Sequence, residues 1–243
     1  MDQPEILKGG NSSQVIKEEN TVVRNTGAWS PFVHALLKHL KEAGFKEAPE
    51  LIETTADKER LTYIEGEVGN YPLKPYMQSD DMLVEAARLL RRFHDLTVEF
   101  VKQSVSASAE VICHNDFAPY NCVFESGHLV GIIDFDTASP GNRVWDMAYA
   151  VYRFVPLTND LHSLDCGWNP IPDREARLKL FCEAYGLALE DRDKLIVTVQ
   201  ERLHSLVDYM ERNSANLEHI PLYINDLKYI ADNEILFTEA ITK

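Results

Sequence analysis

Alternating and helical hydrophobic patterns divide the chain into a strand-rich first part and a helical remainder. Short apolar runs separated by turn residues predict four strands in the first part, at residues 14–17, 21–24, 49–54 and 60–65. One segment between them has helical spacing, with Ser30 as its predicted N-cap, Pro31 in the first turn and Gly44 at its end. These patterns predict a small sheet with one helix.

From residue 69 onward the pattern is mostly helical. Apolar residues recur at helical spacing from Asp80 to Leu96, and further helices are predicted at residues 173–185, 191–213 and 222–241. His94 is interpreted as a residue near the end of its helix rather than a catalytic group. The loop at residues 156–172 is rich in Asp, Asn, Pro and Gly, and loops of that length are often functional.

The stretch VICHNDFAPYNCVFESGHLVGIIDFD contains the candidate catalytic and metal-binding residues of the chain. Apolar runs before and after HNDFAPYN predict that this loop lies between two short strands. The turn residues Ser126 and Gly127 then predict a hairpin, whose second strand ends at Asp134. The hairpin is expected to return Asp134 towards Asp116 and Asn121.

These side chains suit the transfer of a phosphoryl group from a nucleotide to a hydroxyl. Such a reaction needs a base or orienting group beside the acceptor, and Mg²⁺ to neutralise charge on the phosphates. Asp116 can accept the proton or orient the hydroxyl. Asn121 and Asp134 offer the hard oxygen ligands that Mg²⁺ prefers. The stretch therefore predicts a Mg²⁺-dependent phosphoryl-transfer site.

HNDFAPYN and IDFD resemble the H-x-D-x-x-x-x-N loop and the I-D-[FWY]-[DE] strand end of the aminoglycoside phosphotransferase and choline kinase superfamily. Downstream, ASPGNRVWDMAYAVYRF is similar to the superfamily's glycine turn and following helix. The resemblance implies that Asp146 and His114 brace the loop. It also implies an α+β, two-lobed, protein-kinase-like fold, with a nucleotide-binding lobe at residues 1–68 and a helical catalytic and acceptor-binding lobe at residues 69–243.

The same resemblance implies Mg²⁺ and ATP or GTP as cofactors, and a small hydroxyl compound as acceptor. The surroundings of the loop are closest to bacterial antibiotic kinases, whereas the HND tripeptide favours choline or ethanolamine kinases, so the acceptor stays open. A nucleotide-binding module with little catalysis is a further alternative. A protein kinase is disfavoured because neither a DFG glycine nor an APE-like segment follows IDFD.

Two short segments of the first lobe are candidates for nucleotide binding. The loop GGNSS, with Gly10 and Ser12, could lay backbone N–H groups over phosphates. The segment from Tyr63 to Glu65 is expected to cross between the lobes, where backbone groups could meet an adenine edge.

The strand position where kinases usually carry a phosphate-contacting Lys is occupied by Arg24. Arginine keeps its charge without help and can bind phosphate with two parallel hydrogen bonds, so Arg24 is a candidate nucleotide ligand. The following helix lacks the glutamate that would pair with it. Its facing positions carry His34 and Leu37 instead.

Composition and charge limit the partners of the chain. With 243 residues, 45% of them hydrophobic, it can bury a sizeable core. A formal net charge of −15 argues against nucleic acid or an anionic membrane as partner. No apolar run is long enough to span a bilayer, and the start of the sequence has no signal-like segment, so a cytoplasmic protein is expected. The oligomeric state stays open.

Acidic residues are concentrated in the second lobe, which carries a charge of −11 against −4 for the first. An acidic pocket would suit a cationic acceptor such as an aminoglycoside or an amino alcohol. The candidate acidic contacts in the late loop and helices are Asp160, Asp165, Glu201, Asp208 and Glu211.

The four cysteines are Cys113, Cys122, Cys166 and Cys182, and they have no metal-binding spacing. They are interpreted as reduced, structural thiols. A redox switch through Cys113 and Cys122 is the alternative.

Overall fold

The computed structural model describes residues 5–7, 15–104 and 108–243, and its first part is a five-stranded antiparallel sheet. The strands, in the spatial order 1-2-3-5-4, are β1 (Glu5–Leu7), β2 (Val15–Glu18), β3 (Thr21–Asn25), β4 (Leu51–Thr54) and β5 (Lys58–Thr62). Helix α1 (Ser30–Glu42) connects β3 to β4. Its inward face buries Val33, Leu36, Leu37 and Leu40, which share one core with Leu61 of β5.

The start of α1 differs from the predicted cap by one residue. Trp29 occupies the N-cap position, and Ser30 is the first helical residue. The Ser30 hydroxyl accepts a hydrogen bond from the backbone N–H of Gly27 at 3.0 Å, so it satisfies the turn before the helix rather than the helix itself. The end is as predicted, because Gly44 has a φ of +78° just past the last turn.

The rest of the chain is mainly helical. Its helices are α2 (Asp80–Ser104), α3 (Arg143–Phe154), α4 (Asp160–Asp165), α5 (Arg174–Tyr185), α6 (Leu189–Asn213), α7 (Ile220–Asp232) and α8 (Glu234–Thr242). Helix α2 packs along α5, and α3 packs along α6. Fully buried aromatic side chains such as Phe93, Tyr152 and Phe181 fill the space among these helices.

Five short strands lie between the sheet and α3. They are β6 (Glu67–Val68), β7 (Val111–Cys113), β8 (Cys122–Glu125), β9 (His128–Ile132) and β10 (Ser139–Gly141). The predicted hairpin is confirmed: β8 pairs antiparallel with β9 through Ser126 and Gly127, which both have positive φ. Strand β6 pairs with the other edge of β8, and β7 pairs with β10.

Three element predictions need correction. Helix α2 continues to Ser104, because the buried residues Phe100 and Val101 extend its apolar face beyond Leu96. The long loop contains the short helix α4. The predicted last helix is two helices, which separate at Asn233, where φ is −114° and ψ is 8°.

The architecture confirms an α+β fold with a small antiparallel sheet, one helix behind it, and a larger, mainly helical part. Among the described helices, none is long and apolar enough to cross a membrane. The boundary between residues 68 and 69 stays a prediction.

Candidate active site

The loop of residues 114–121, here called the HND loop, connects β7 to β8 and rests on the buried carboxylate of Asp146. Asp146 lies in the first turn of α3, where its Oδ2 accepts the backbone N–H of His114 at 2.8 Å and its Oδ1 accepts that of Asn115 at 2.7 Å. Asn115 has a φ of 64°, in the left-handed region that asparagine tolerates better than most residues with a side chain. Two charge-assisted hydrogen bonds hold the turn in this conformation, which supports the bracing role proposed for Asp146.

Asp146 is itself held by His94, whose Nε2 lies 3.0 Å from Oδ2. Both side chains are fully buried, and His94 Nδ1 contacts the hydroxyl of Tyr185 at 2.7 Å. Burial by itself would raise the pKa of Asp146, but the hydrogen bond and charge of His94 and the contribution of His114 outweigh it, so the pKa lies below its ordinary 3.8. The interpretation of His94 as a residue near a helix end is therefore wrong: it lies inside α2 and orients the brace.

His114 fastens the HND loop to the end of β9. Its Nε2 lies 3.0 Å from the carbonyl oxygen of Ile133, and its Nδ1 accepts the backbone N–H of Asp116 at 3.3 Å. This pair of contacts fits a neutral ring that carries its proton on Nε2. The ring is fully buried against Phe135, with 4.9 Å between centroids. His114 therefore supports the loop from inside.

Asp116 lies at the surface of a cavity, with both carboxylate oxygens fixed by neighbours on its own loop. Asn121 donates from Nδ2 to Oδ2 at 2.8 Å, and Tyr120 donates from its hydroxyl to Oδ1 at 2.6 Å. An ionised carboxylate has about four lone-pair sites, so capacity remains for a substrate hydroxyl.

A directed chain of hydrogen bonds extends from Asp116 into α3. The hydroxyls of Tyr120 and Tyr149 are 2.8 Å apart, and Tyr149 accepts from Arg153 Nε at 3.1 Å and Nη2 at 2.9 Å. Since Tyr120 gives its one proton to Asp116, and arginine can only donate, Tyr149 donates to Tyr120. The chain thus runs from the guanidinium to the carboxylate. Sequence reasoning missed it, because Arg153 lies far from Asp116 along the chain.

Asn121 and Asp134 meet the chemical requirements of a Mg²⁺ site. Because Asn121 Nδ2 is bound to Asp116, its amide oxygen stays available, and no described residue donates to it. The backbone N–H of Ile133 donates to the Asn121 carbonyl at 2.9 Å, which brings Asp134 beside Asn121. Both side chains line the cavity. Within the described ranges no group of three or more His, Cys, Asp or Glu side chains could hold a metal ion. Mg²⁺ is commonly bound by one or two protein oxygens together with water and substrate phosphates.

Arg24 on β3 reaches the same end of the cavity and contacts three carboxylates. Its Nε is 2.5 Å from Glu59 Oε1, its Nη2 is 2.6 Å from Asp136 Oδ1, and its Nη1 is 3.7 Å from Asp134 Oδ1. Burial alone would lower the pKa of Arg24, but the charges of Asp136 and Glu59 outweigh it and raise that pKa. The guanidinium is therefore a fixed positive charge beside the proposed metal ligands.

The counter-ion of Arg24 comes from β5 rather than from α1. Glu59 is 2% exposed, and it also forms a hydrogen bond with His34 of α1. Arg24 and His34 therefore do not replace the usual Lys–Glu pair by pairing with each other. Both instead contact the one buried carboxylate of Glu59. The sequence signal for the burial of Glu59 is the alternation of KERLT, which places Glu59 on the same inward face as Leu61.

The remaining nucleotide-site predictions have different outcomes. Tyr63 lines the cavity, whereas Glu65 does not, and the Glu65 carboxylate lies 3.5 Å from Lys17 at the surface. Gly10 and Ser12 fall outside the described residues.

One cavity of about 800 Å³ connects these groups, a volume that suits a small ligand. Its lining includes Arg24, Tyr63 and Asp134. It also includes Arg153 and Arg202, whose guanidinium groups both lie over the ring of Tyr149, and the part that these two arginines line is here called the proposed acceptor end.

None of the predicted acidic acceptor contacts lines this cavity. Asp160 is paired with Arg174, and Asp208 is paired with Arg212 on the exposed face of α6. Asp165, Glu201 and Glu211 are likewise absent from the cavity wall. The prediction that these five residues contact the acceptor is therefore wrong for this cavity, because their side chains are exposed to solvent.

The sequence of this chain is similar to an enzyme family and to a known immunity protein. A model of the phosphotransferase enzyme family matches residues 101–196, which include the HND loop, the hairpin and α3. The trifolitoxin immunity protein of Rhizobium leguminosarum bv. trifolii is 32% identical over 208 residues, which cover 78% of this chain and 78% of that protein.

Solved structures share the fold at low identity. The choline kinase of Cryptosporidium parvum Iowa II has a TM-score of 0.69 and 11% identity, and the match covers 99% of this chain and 92% of that one. The ternary complex of aminoglycoside phosphotransferase APH(2")-IIa with streptomycin and ATP has a TM-score of 0.57 and 14% identity, with 100% and 94% covered.

Proposed function

Because this chain belongs to the phosphotransferase enzyme family, we propose that it transfers the γ-phosphoryl group of ATP or GTP to a hydroxyl of a small acceptor in a Mg²⁺-dependent reaction. The observation that carries the proposal is one cavity into which Asp116, Asn121 and Asp134 all face. A carboxylate that can act as base, together with two hard oxygen donors, is the set of groups that phosphoryl transfer requires.

In this proposal Asp116 orients the acceptor hydroxyl and takes its proton. The bonds from Asn121 and Tyr120 fix the carboxylate before substrate arrives, so little reorganisation is needed. Asn121 and Asp134 would hold Mg²⁺ through oxygen. When bound, the ion neutralises charge on the β- and γ-phosphates.

Arg24 and Tyr63 are proposed nucleotide contacts, and the lobe of residues 1–68 is the proposed nucleotide lobe. Residues 69–243 would then supply the catalytic groups and the acceptor site. Solved structures of the same fold include complexes with ATP and with GDP, so both ATP and GTP are candidates for this chain.

We place the reaction in the cytoplasm. The four cysteines are free and buried, which supports a reducing compartment.

The proposal is tested by measuring ADP or GDP release with aminoglycosides, macrolides, choline, ethanolamine, sugars and homoserine as acceptors, with and without EDTA. We expect release that needs both Mg²⁺ and an acceptor. A nucleotide-dependent rise in melting temperature with no turnover would instead favour a nucleotide-binding module. No shift with any Mg-nucleotide would contradict both functions.

The similarity to a trifolitoxin immunity protein favours a second candidate, resistance to an antibacterial compound through its phosphorylation. Expression of this chain in a trifolitoxin-sensitive strain should then raise survival, and Asp116→Asn should abolish that gain. Protection that persists in Asp116→Asn would show that any immunity does not depend on phosphoryl transfer.

A further inference from the structure

The proposed acceptor end of the cavity contains an aromatic box that the protein fills with its own cation. The guanidinium of Arg153 lies between 4.7 and 5.7 Å from the ring centroids of Tyr120, Tyr149, Tyr152 and Tyr223. Aromatic faces attract cations, and such boxes bind quaternary ammonium ligands. Here the box is occupied, so a cationic acceptor group would meet a fixed positive charge.

The charge of Arg153 has no carboxylate partner among the described residues. Its Nε and Nη2 donate only to the hydroxyls of Tyr149 and Tyr223, and Nη1 makes no hydrogen bond within the described part of the chain. A buried cation without a counter-ion is costly, and an anionic ligand would remove much of that cost.

The buried carboxylate that contacts this box, through the hydroxyl of Tyr152, is already engaged elsewhere. Asp226 of α7 accepts the hydroxyl of Tyr152 at 2.7 Å and lies 2.5 Å from His162 Nδ1. Its other oxygen accepts both the backbone and the side-chain N–H groups of Asn159. Asp226 therefore orders this wall and leaves the guanidinium of Arg153 unpaired.

A second arginine lines the same end of the cavity. Arg202 of α6 lies over the rings of Tyr149 and Trp145, with 5.0 and 5.4 Å to their centroids. Its Nη2 donates to the carbonyl of Asn115 at 2.7 Å, next to Asp116. Its Nε is buried without a hydrogen-bond partner, and the side chain forms no ion pair with any described carboxylate. Two positively charged groups thus face this space.

The arginines and the proposed base are close enough for one small molecule. Hydrogen bonds of 2.6, 2.8 and 2.9 Å join Asp116 to Arg153 through Tyr120 and Tyr149, so their nearest polar atoms are at most about 8 Å apart. Among the described residues that line the cavity, the only carboxylates are Asp116 and Asp134, and both have roles in the proposed chemistry.

We infer that the acceptor carries an anionic group, a carboxylate or a phosphate, that binds Arg153 and Arg202 while its hydroxyl lies at Asp116. This inference rests on the proposed function. The hydroxyl oxygen forms a bond to the γ-phosphorus as the bond from that phosphorus to the leaving nucleotide oxygen breaks. The proton passes to Asp116, and the nucleoside diphosphate departs.

The test uses two series of small hydroxyl compounds with different charged groups: glycerate, glyceramide and glycerol 3-phosphate, and serine, serinamide and ethanolamine. Each is assayed with Mg-ATP for ADP release, and for inhibition of the hydrolysis seen without acceptor. The second readout registers a compound that binds without being phosphorylated. Glycerate and glycerol 3-phosphate separate the carboxylate from the phosphate source.

We expect at least one anionic compound to act as acceptor or inhibitor about 10- to 100-fold better than its neutral or cationic counterpart, as for one charge-assisted contact. Arg153→Met and Arg202→Gln should each reduce that preference about tenfold or more, and Arg153→Lys should restore part of it. The preference is the ratio of the effects of the anionic and the uncharged or cationic compound on one variant. A general loss of activity in that variant therefore leaves the ratio unchanged. Arg88→Met, at an exposed site on α2 away from the cavity, is the control.

Equal or better performance of the neutral or cationic members would overturn the inference, as would no effect of any anionic member on either readout. An unchanged preference in both Arg153→Met and Arg202→Gln would also overturn it. Thermal melting of each variant with Mg-ADP reports folding and nucleotide binding separately. Wild-type protein with no Mg-nucleotide shift and no hydrolysis would mean that the proposed function itself fails.

Discussion

Glu59 is the buried residue that holds Arg24 in place at the proposed nucleotide end of the cavity. It is one buried carboxylate shared by Arg24 of β3 and His34 of α1, so it connects the sheet to the helix behind it. Arg24 then reaches on to Asp136. The orientation of Arg24 towards a nucleotide therefore depends on a side chain that has no contact with the cavity.

We expect Glu59→Gln to lower the free energy of unfolding by about 1–3 kcal/mol, because buried charge-assisted hydrogen bonds are weakened. The KM for ATP should rise about tenfold, because Arg24 loses one of its anchors. Denaturant unfolding and steady-state kinetics measure the two effects. Glu53→Gln on β4 is the matched control: this carboxylate is exposed, and its ion pair with Arg60 should contribute little. Equal effects of the two substitutions would contradict the role of Glu59.

The proposed site residues divide into those that sequence could predict and those that it could not. Asp116, Asn121 and Asp134 lie within one short stretch, where loop, turn and strand signals fix their relative positions. Arg153 reaches the cavity from α3, and Glu59 holds Arg24 from β5 without contacting the cavity. The alternation of KERLT indicates that Glu59 faces inward, but only the packed fold shows which groups the two residues meet.

At the scale of elements, helices hold the HND loop in addition to the contacts that its own residues make. Helix α3 supplies Asp146, and α2 supplies His94, which holds Asp146 in place. The hairpin of β8 and β9 was predictable, because Ser126 and Gly127 suit a tight turn. The length of α2 was not, because its C-terminal apolar residues contact partners distant in sequence.

We expect Asp146→Asn to destabilise the protein by about 2–4 kcal/mol at pH 7 and to reduce turnover, because the backbone N–H groups of the HND loop lose a charged acceptor. The pKa of Asp146 is below its ordinary 3.8, so its stabilising contribution is complete above that pH and is lost as the pH falls further, through the folded-state pKa. The stability difference between wild type and variant should therefore shrink below about pH 4. Denaturant unfolding at several pH values checks this. A difference that is constant or grows in acid would contradict it.

For the whole molecule, net charge gives a poor guide to the charge of the cavity. The chain carries −15 overall, yet the proposed acceptor end of its cavity is lined by Arg153 and Arg202. Most of the described acidic side chains are exposed, on helices, strands and loops alike, where they favour solubility. The net charge of a sequence cannot distinguish the charge of the cavity from that of the outer surface, because the packing of the helices decides which side chains lie where.

The four cysteines are distributed through the core and should be unreactive in the native protein. Burial raises the pKa of all four thiols, that of Cys166 to about 11 and that of Cys182 to about 12, so the reactive thiolate is scarce at neutral pH. Titration with a thiol reagent should detect almost no cysteine before unfolding and four after it. Rapid native labelling of Cys113 or Cys122 would instead favour the redox switch.

The proposed chemistry depends on Asp116 more directly than on any other residue. The most direct measurement compares Mg²⁺-dependent nucleotide turnover in wild type, Asp116→Asn and the control Asp208→Asn, whose carboxylate is exposed on α6. The amide keeps the shape of Asp116 but cannot accept the acceptor proton. We predict a loss of about 10²- to 10⁴-fold in Asp116→Asn with the fold retained, and near-normal activity in the control. Turnover in Asp116→Asn equal to that of wild type would contradict the account.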